Sequence, residues 1–303
     1  MSNLRIRLFG KFEVRQDDQV ETGALTHRAQ ELLSYLILHR HKPHPREALI
    51  DILWSDCPPA QSRKQLRQVL WEMQTALHTR RTNSDLLYLA ETDWITLNPE
   101  CGAWFDVDEF EQACGRAHYL PGELLDAECA GALQRAVELY RGDLLEGWYQ
   151  DWCLYERERL QNVYLDMLDK LMAYCEFHQH YEAGLEYGAQ ILQYDRARER
   201  THWQMMRLHY SANDRAGALR QFQRCVAALD QELGVKPSQR TLTLYEQIRV
   251  DQVPERSIAA NPTARPLPLS RLVDCLKSLR VTLNDLQRQV DQELQVLEDP
   301  TDQ

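Results

Sequence analysis

The sequence predicts a mainly α-helical protein with a small α+β region at its N-terminus. Three observations lead to this prediction. Apolar residues recur at helical spacing over most of the 303 residues, and alternating β-type runs are confined to the first 100 residues. A later segment is similar to itself after a shift of 34 residues, which is typical of helical repeats. We therefore expect several domains, in agreement with the length of the chain.

Composition and charge place the chain among soluble proteins of a reducing compartment. No run approaches the roughly 18 consecutive apolar residues of a spanning helix, and the N-terminus lacks a signal-peptide core, so we expect a cytoplasmic protein without membrane contact. The eight cysteines are scattered singly, which argues against disulfides and a zinc site. Residues 1–100 hold 13 basic and 13 acidic residues, so the net charge of −11 lies in the remainder. An acidic body repels nucleic acid, and any DNA contact must be local.

The first elements can be assigned in chain order. Leu4 to Val14 alternates polar and apolar residues, which predicts a strand pair or a bulged strand. Thr26 can cap a helix that runs to about His39. Arg46 to Trp54 has the apolar spacing of a short second helix, and the pair Pro58-Pro59 should end it.

The segment from Gln61 to His78 carries the candidate DNA-reading surface. Its apolar residues recur at helical spacing, so one face must be buried. The opposite side carries residue types that bind DNA, since Arg and Lys pair with phosphate or guanine and Gln pairs with adenine. Together with a basic residue of the second helix, the predicted DNA-binding residues are Arg46, Arg63, Lys64, Arg67, Gln68 and Trp71. A solvated charged face is the alternative interpretation, because charge runs usually face water.

Two β-rich runs follow this segment, Leu86 to Ala90 and Trp94 to Leu97, and three polar residues between them indicate a hairpin. A winged helix has this order of elements: strands first, then three helices, then a hairpin. In that architecture the third helix enters the major groove, and the hairpin lies along the backbone or the minor groove. The element order therefore favours a DNA-reading helix over a solvated face.

The pattern from Val107 to Ile248 is almost entirely helical. Ala183-Gly184-Leu185 corresponds to Gly217-Ala218-Leu219 at the shift of 34, which is the tetratricopeptide period. Such repeats form concave surfaces for partners rather than catalytic sites. Four aromatic residues are predicted to fill a helix junction, with a ligand pocket as the alternative: Trp148, Tyr149, Trp152 and Tyr155.

A stretch with four prolines is predicted to be a linker, and a final helix is predicted after it. The leucines of this helix alternate spacings of three and four, as in a coiled coil. We expect it to join copies of the chain into a homo-oligomer through Leu272, Leu276, Leu279, Leu283, Leu286 and Val290. Folding of this helix back onto the repeats is the alternative.

Four stretches resemble a known family of bacterial regulators. Ala29 to Trp54 and Ser62 to Leu77 are similar to the response-regulator-type winged helix of the Streptomyces antibiotic regulatory proteins. Arg141 to Leu160 and Ala227 to Pro237 are similar to the bacterial transcriptional activator domain that follows it in those proteins. The predicted domains are a winged-helix DNA-binding domain at 1–100, a bacterial transcriptional activator domain with tetratricopeptide-like repeats at 101–252, a linker at 253–269 and a coiled-coil helix at 270–299.

The resemblance implies a DNA-binding transcriptional regulator that acts as an activator, with double-stranded promoter DNA and RNA polymerase as partners. One departure concerns the third helix, where the family carries basic residues around R-L-R-R-A-L and this chain has Glu72 to Leu77. Fewer cations mean fewer phosphate contacts. The alternative is therefore a protein-interaction adaptor that kept the fold and lost DNA binding. Without a phosphate loop, a G-x-S-x-G motif or a metal-spaced cluster, we expect neither an enzyme nor a cofactor.

Overall fold

The computed structural model describes residues 4–16, 19–20, 23, 25–55, 57–76, 88–90, 93–98 and 102–252. The predicted linker at 253–269 and the coiled-coil helix at 270–299, with its oligomerisation residues, lie outside the described residues. Within them the protein is mainly helical, and its strands lie in the N-terminal part. The predicted fold class, a small α+β region followed by helical repeats, is confirmed.

The described part of the first 100 residues contains short strands and three helices. In chain order the elements are β1 (Leu4–Arg7), β2 (Glu13–Gln16), β3 (Gln19–Val20), α1 (His27–Leu38), β4 (His44–Pro45), α2 (Arg46–Leu53), α3 (Pro59–Ala76), β5 (Tyr88–Ala90) and β6 (Trp94–Leu97). The strand pair and the hairpin predicted here are both present, since β1 pairs antiparallel with β2 and β5 with β6.

The rest of the described chain is helical after one short strand. Its elements are β7 (Trp104–Phe105), α4 (Asp106–Ala117), α5 (Ala127–Leu139), α6 (Asp151–Phe177), α7 (Tyr181–Tyr194), α8 (Glu199–Ser211), α9 (Arg215–Leu233) and α10 (Gln239–Arg249), with a 3-10 turn at Gly122–Leu124. From α6 to α10 each helix packs on the next, which gives a repeat-like array. The tetratricopeptide assignment of this array stays a prediction.

Local chemistry explains several helix starts. The Thr26 hydroxyl caps α1 by accepting a hydrogen bond from the amide of Ala29, as predicted. Asp126 and Asp214 cap α5 and α9 in the same way. The predicted second helix is present as α2, which has Trp54 as its C-cap and stops before the proline pair, and Pro59 begins α3. Proline suits the first helical position, where its missing N–H has no intrahelical partner to lose.

The strands form two small sheets. One has the order β3-β2-β1-β7 and the other β4-β6-β5. In the first sheet, Ile6 of β1 lies opposite Val14 of β2 in an antiparallel pair and opposite Phe105 of β7 in a parallel pair. The strand that leads into the helical domain is therefore part of the N-terminal sheet.

A single hydrophobic core extends from the N-terminal sheet into α4, α5 and α6. The Phe9 ring lies 4.9 Å from the ring of Phe110 and 4.8 Å from that of Tyr140. Tyr35 of α1 packs edge-on against Trp152 of α6 at 5.6 Å. Aromatic pairs of this kind stabilise a junction beyond the area they bury. The residues on the two sides of the predicted boundary at residue 100 thus share one core, and the boundary itself stays a prediction.

The aromatic set near the start of α6 divides into two pairs. Trp148 and Trp152 pack against the core, as predicted. Tyr149 and Tyr155 are 77% and 70% exposed, so the prediction that they fill a helix junction is wrong. They lie on the outer side of a segment whose tryptophans already occupy the junction.

Candidate nucleic-acid interface

The third helix, α3, has the two-faced character that its sequence predicts. Leu66, Val69, Leu70 and Met73 are buried, and they form the face that packs against α1 and α2. Leu77, the next apolar residue in the series, lies outside the described residues. Burial of this face fixes which side of α3 points away from the core.

The opposite face of α3 presents four of the predicted DNA-binding residues to solvent. Lys64, Arg67, Gln68 and Trp71 follow the i, i+3, i+4, i+7 spacing of one helical face and are all exposed. At 1.5 Å per residue they span about 10 Å along the helix axis. Trp71 is 64% exposed, although tryptophan side chains are largely buried in most proteins. This strip, Lys64 to Trp71, is called the α3 strip below.

Hydrogen bonds within the protein occupy part of this surface. Arg63 pairs with Glu47 of α2, with 2.9 Å between Nε and Oε1. Gln68 donates its amide to Oε1 of Glu72 at 3.0 Å. The Arg67 Nε lies 3.4 Å from the carbonyl oxygen of Arg63, a weak contact that leaves the rest of its guanidinium facing outward. These bonds use only one donor group of Arg63 and one of Gln68, so they restrain the two side chains but leave the Arg63 Nη groups and the Gln68 carbonyl oxygen for DNA.

Glu72 has a structural role that sequence reasoning missed. Its Oε2 accepts a hydrogen bond of 2.8 Å from the hydroxyl of Thr26, and its Oε1 accepts from Gln68. Because Thr26 is also the cap of α1, this carboxylate joins the middle of α3 to the start of α1. The two residues lie 46 positions apart, so no local pattern could have revealed the contact.

Arg46, the remaining predicted DNA-binding residue, lies apart from the α3 strip. It is the first residue of α2, and its backbone N–H donates to the carbonyl of Asp93 at 2.9 Å. The preceding Pro45 pairs with Trp94 across β4 and β6. Arg46 is half-buried at the junction between α2 and the β5–β6 hairpin. Arg46 therefore lies beside the β5–β6 hairpin and outside the exposed face of α3.

A buried carboxylate connects the N-terminal sheet to the helical domain. Asp106, at the start of α4, accepts hydrogen bonds from the backbone amides of Leu8, Phe9 and Val107 at 2.8 to 3.0 Å. Burial raises the pKa of Asp106 to about 6, although the three donors and the nearby Arg7 act in the opposite direction. The loop after β1 is thus held by a side chain at the start of α4.

A chain of charged residues reinforces the same junction. Arg40, just beyond α1, places its Nη2 2.7 Å from Asp108 and 2.7 Å from Glu111 on α4. Glu111 also pairs with Arg159 on α6 at 2.7 Å, and Arg159 pairs with Glu156. The Arg40 side chain is largely buried, so these pairs are only weakly screened by salt. They connect α1, α4 and α6 through direct contacts.

The histidines near the end of α1 are engaged in packing. His44 is buried, and its Nε2 lies 3.1 Å from the carbonyl oxygen of His39. In the described part of the chain, no three His, Cys, Asp or Glu side chains are grouped to hold a metal ion. No helix there is long and apolar enough to span a membrane.

Comparisons with known proteins identify a matching domain family and a similar solved structure. Residues 105–249 match the family of the bacterial transcriptional activator domain. Among solved structures, Mycobacterium tuberculosis EmbR, in complex with a low affinity phosphopeptide, is similar with a TM-score of 0.64 and 18% identity, over 94% of this chain and 72% of that chain. At this identity the similarity shows a shared fold. No curated protein matches the sequence.

Proposed function

We propose that the protein is a DNA-binding transcriptional regulator that reads promoter DNA with α3 and activates transcription through its helical domain. The observation that carries the proposal is the α3 strip, which presents Lys64, Arg67, Gln68 and Trp71 on the face opposite the buried one. Arg, Lys and Gln are the side chains that contact phosphates and base edges in a major groove. A helix about 10–12 Å in diameter fits a groove about 12 Å wide.

The elements around α3 support a winged helix. Three helices precede the β5–β6 hairpin, and the strand between α1 and α2 pairs with that hairpin in the order β4-β6-β5. The hairpin would be the wing, and Arg46 at its junction would contact the DNA backbone beside it. The match of residues 105–249 supports the assignment of activation to the helical domain, where RNA polymerase is the expected partner.

The C-terminal helix at 270–299 would join copies of the chain. A dimer would hold two DNA-reading units together, and the high effective concentration of the second unit would offset the small number of cations on each. Two units on one molecule also require two half-sites in the promoter DNA.

A second function, a protein-interaction adaptor, is favoured by one specific observation. Trp71 is 64% exposed on a helix that also carries Glu72, and exposed indoles are frequent anchors of protein interfaces. The net charge of −11 also opposes DNA binding outside the α3 strip.

Selection of genomic fragments by the purified full chain at low salt tests the two functions against each other. A regulator enriches a small set of related fragments, and the Lys64→Ala/Arg67→Ala variant does not enrich them. An Arg116→Ala variant is the control, because Arg116 is an exposed cation on α4, away from α3. Failure of the wild-type protein to enrich any fragment would refute DNA reading and favour the adaptor.

A further inference from the structure

The helical repeats contain a pocket that the proposed function does not use. It lies between α7, α8 and α9 and has a volume of about 270 Å³. Its floor is apolar and includes Ala189, Leu192 and Met205, whereas Arg196 and Arg224 stand at its rim. Both arginines are exposed. An apolar floor with a few polar groups at defined positions is the usual composition of a small-molecule site.

A buried hydrogen-bond relay reaches this pocket through Gln221, which lines it. His202 is buried, and its Nε2 lies 2.8 Å from the backbone carbonyl oxygen of Arg196. A carbonyl oxygen only accepts, so the proton of the imidazole is on Nε2, and Nδ1 must itself accept a hydrogen bond. The donor is the side-chain amide of Gln221, with 2.8 Å between Nε2 and Nδ1. Burial lowers the pKa of His202, which agrees with a neutral ring in this relay.

The relay ends on the second arginine of the rim. With its amide nitrogen directed at His202, Gln221 turns its Oε1 towards Arg224, whose Nη1 lies 3.4 Å away. Gln221 is only 1% exposed and lines the pocket, so its orientation is fixed by its partners. This weak contact directs the Arg224 guanidinium towards the pocket and leaves its remaining N–H groups available.

No carboxylate in the described part of the chain pairs with the charge of the rim. Among the described residues, neither Arg196 nor Arg224 lies within 4 Å of a carboxylate, whereas Arg198, Arg207 and Arg220 in the same part of the chain do. Two cations beside an apolar floor are complementary to an anion with an apolar body. A guanidinium binds a carboxylate through two parallel hydrogen bonds, which gives both strength and orientation.

We infer that this pocket binds a small organic acid whose carboxylate pairs with Arg196 and Arg224 and whose apolar body covers Leu192 and Met205. The ligand must be small, since the pocket lies just below the range of about 300 to 1,000 Å³ that holds drug-sized molecules. The apolar floor disfavours a sugar phosphate or a nucleotide, because their polar groups would lose water without gaining partners. This inference does not depend on whether α3 binds DNA.

Calorimetric titration of the full chain with octanoate tests the inference, with octanamide and acetate as matched probes. Octanamide has the same apolar body without the charge, and acetate has the charge without the body. We expect saturable binding of octanoate, with an affinity at least about tenfold above either matched probe, because a hydrogen-bonded ion pair and a buried chain each contribute that much. Equal affinity for octanoate and octanamide, or no saturable binding of octanoate, would overturn the proposal.

Three variants test the residues. Arg224→Ala and Arg196→Ala should each weaken octanoate binding by about tenfold or more. Arg220→Ala is the control, since it removes the same charge from α9 one turn away and does not line the pocket. An equal loss with the control would mean that only the overall charge matters, which contradicts the proposed contact. The wild-type comparison of the three probes stands even if a variant is poorly folded.

Discussion

Glu72 of α3 accepts a hydrogen bond from Thr26, the cap of α1, with 2.8 Å between Oε2 and Oγ1. The same carboxylate accepts from Gln68, so one acidic side chain both orders α3 against α1 and restrains a residue of the α3 strip. In the sequence, Glu72 is a departure from a basic pattern and indicates weaker DNA binding. In the structure its charge also serves the packing of two helices.

Loss of this carboxylate should destabilise the N-terminal region. We expect Glu72→Ala to lower the free energy of unfolding by about 1 kcal/mol, because two hydrogen bonds at a partly exposed site are lost. Glu72→Gln keeps an acceptor and should cost less. Urea denaturation measures both, and Glu158→Ala on the exposed side of α6 is the control. Equal stability of Glu72→Ala and the control would contradict the role assigned to this contact.

The salt dependence of DNA binding should depend on the number of α3 cations that contact phosphates. We expect Lys64→Ala and Arg67→Ala each to reduce the slope of log affinity against log salt by about 0.9, the value for one phosphate contact. Fluorescence anisotropy on a selected fragment, at several salt concentrations, measures the slope. If the slope stays at the wild-type value in both variants, α3 does not contact the DNA backbone.

The stability contributed by Asp106 should change with pH. Burial raises its pKa from 3.8 to about 6 in the folded protein, so the folded state binds the proton more tightly than the unfolded chain. This contribution is present below about pH 4 and is lost as pH rises through 6, with an upper limit of about 3 kcal/mol.

Asp106→Asn isolates this effect, because the amide does not titrate. The stability of the wild-type protein relative to the variant should fall between pH 4 and pH 6.5 and then level off. Urea midpoints across that range measure it. If the difference in stability between the wild-type protein and Asp106→Asn does not change with pH, the Asp106 pKa is close to its ordinary value.

Two glycines should respond to alanine in opposite directions. A Cβ on Gly188 of α7 would lie 2.7 Å from Cγ of Met205 and 2.8 Å from its Sδ, so Gly188→Ala should cost about 1–3 kcal/mol. A Cβ on Gly115 of α4 would meet nothing within 4 Å, and Gly115→Ala should stabilise the protein by about 0.5–1 kcal/mol. Thermal unfolding compares them. A neutral Gly188→Ala would show that α7 and α8 have room to separate.

Truncation tests the proposed oligomer. Removal of residues 253–303 should reduce the mass measured by light scattering to that of one chain, because the predicted coiled-coil leucines lie in this segment. A variant with Leu279→Glu and Leu286→Glu should have the same effect in the full chain, since charge at core positions of a coiled coil opposes association. An unchanged mass in the truncated protein would refute oligomerisation through this helix.

The sequence predicts the elements whose signals are local. The cap at Thr26, the buried face of α3 and the β5–β6 hairpin each follow from a few neighbouring residues, and the structure contains all three. What the sequence does not reveal depends on contacts between distant segments. Asp106 bonds to Leu8 across 98 positions, and neither residue has an unusual local pattern.

The candidate site was predictable to the same extent. Periodicity identified which residues of α3 face outward, because burial of the apolar face determines the opposite one. It did not identify Glu47 and Glu72 as the partners of Arg63 and Gln68. The pocket between α7 and α9 gave no signal in the sequence, since His202 and Gln221 meet only when α8 and α9 pack together.

The attachment of Leu8 and Phe9 to Asp106 has a practical consequence for anyone who wishes to isolate the N-terminal region. A fragment ending at residue 100 would lack both this carboxylate and β7, which covers one side of β1. Two backbone donors would lose their acceptor, and β1 would offer an open edge to neighbouring chains in a concentrated sample. A fragment that extends through α6 would keep β7 beside β1 and the amides of Leu8 and Phe9 satisfied.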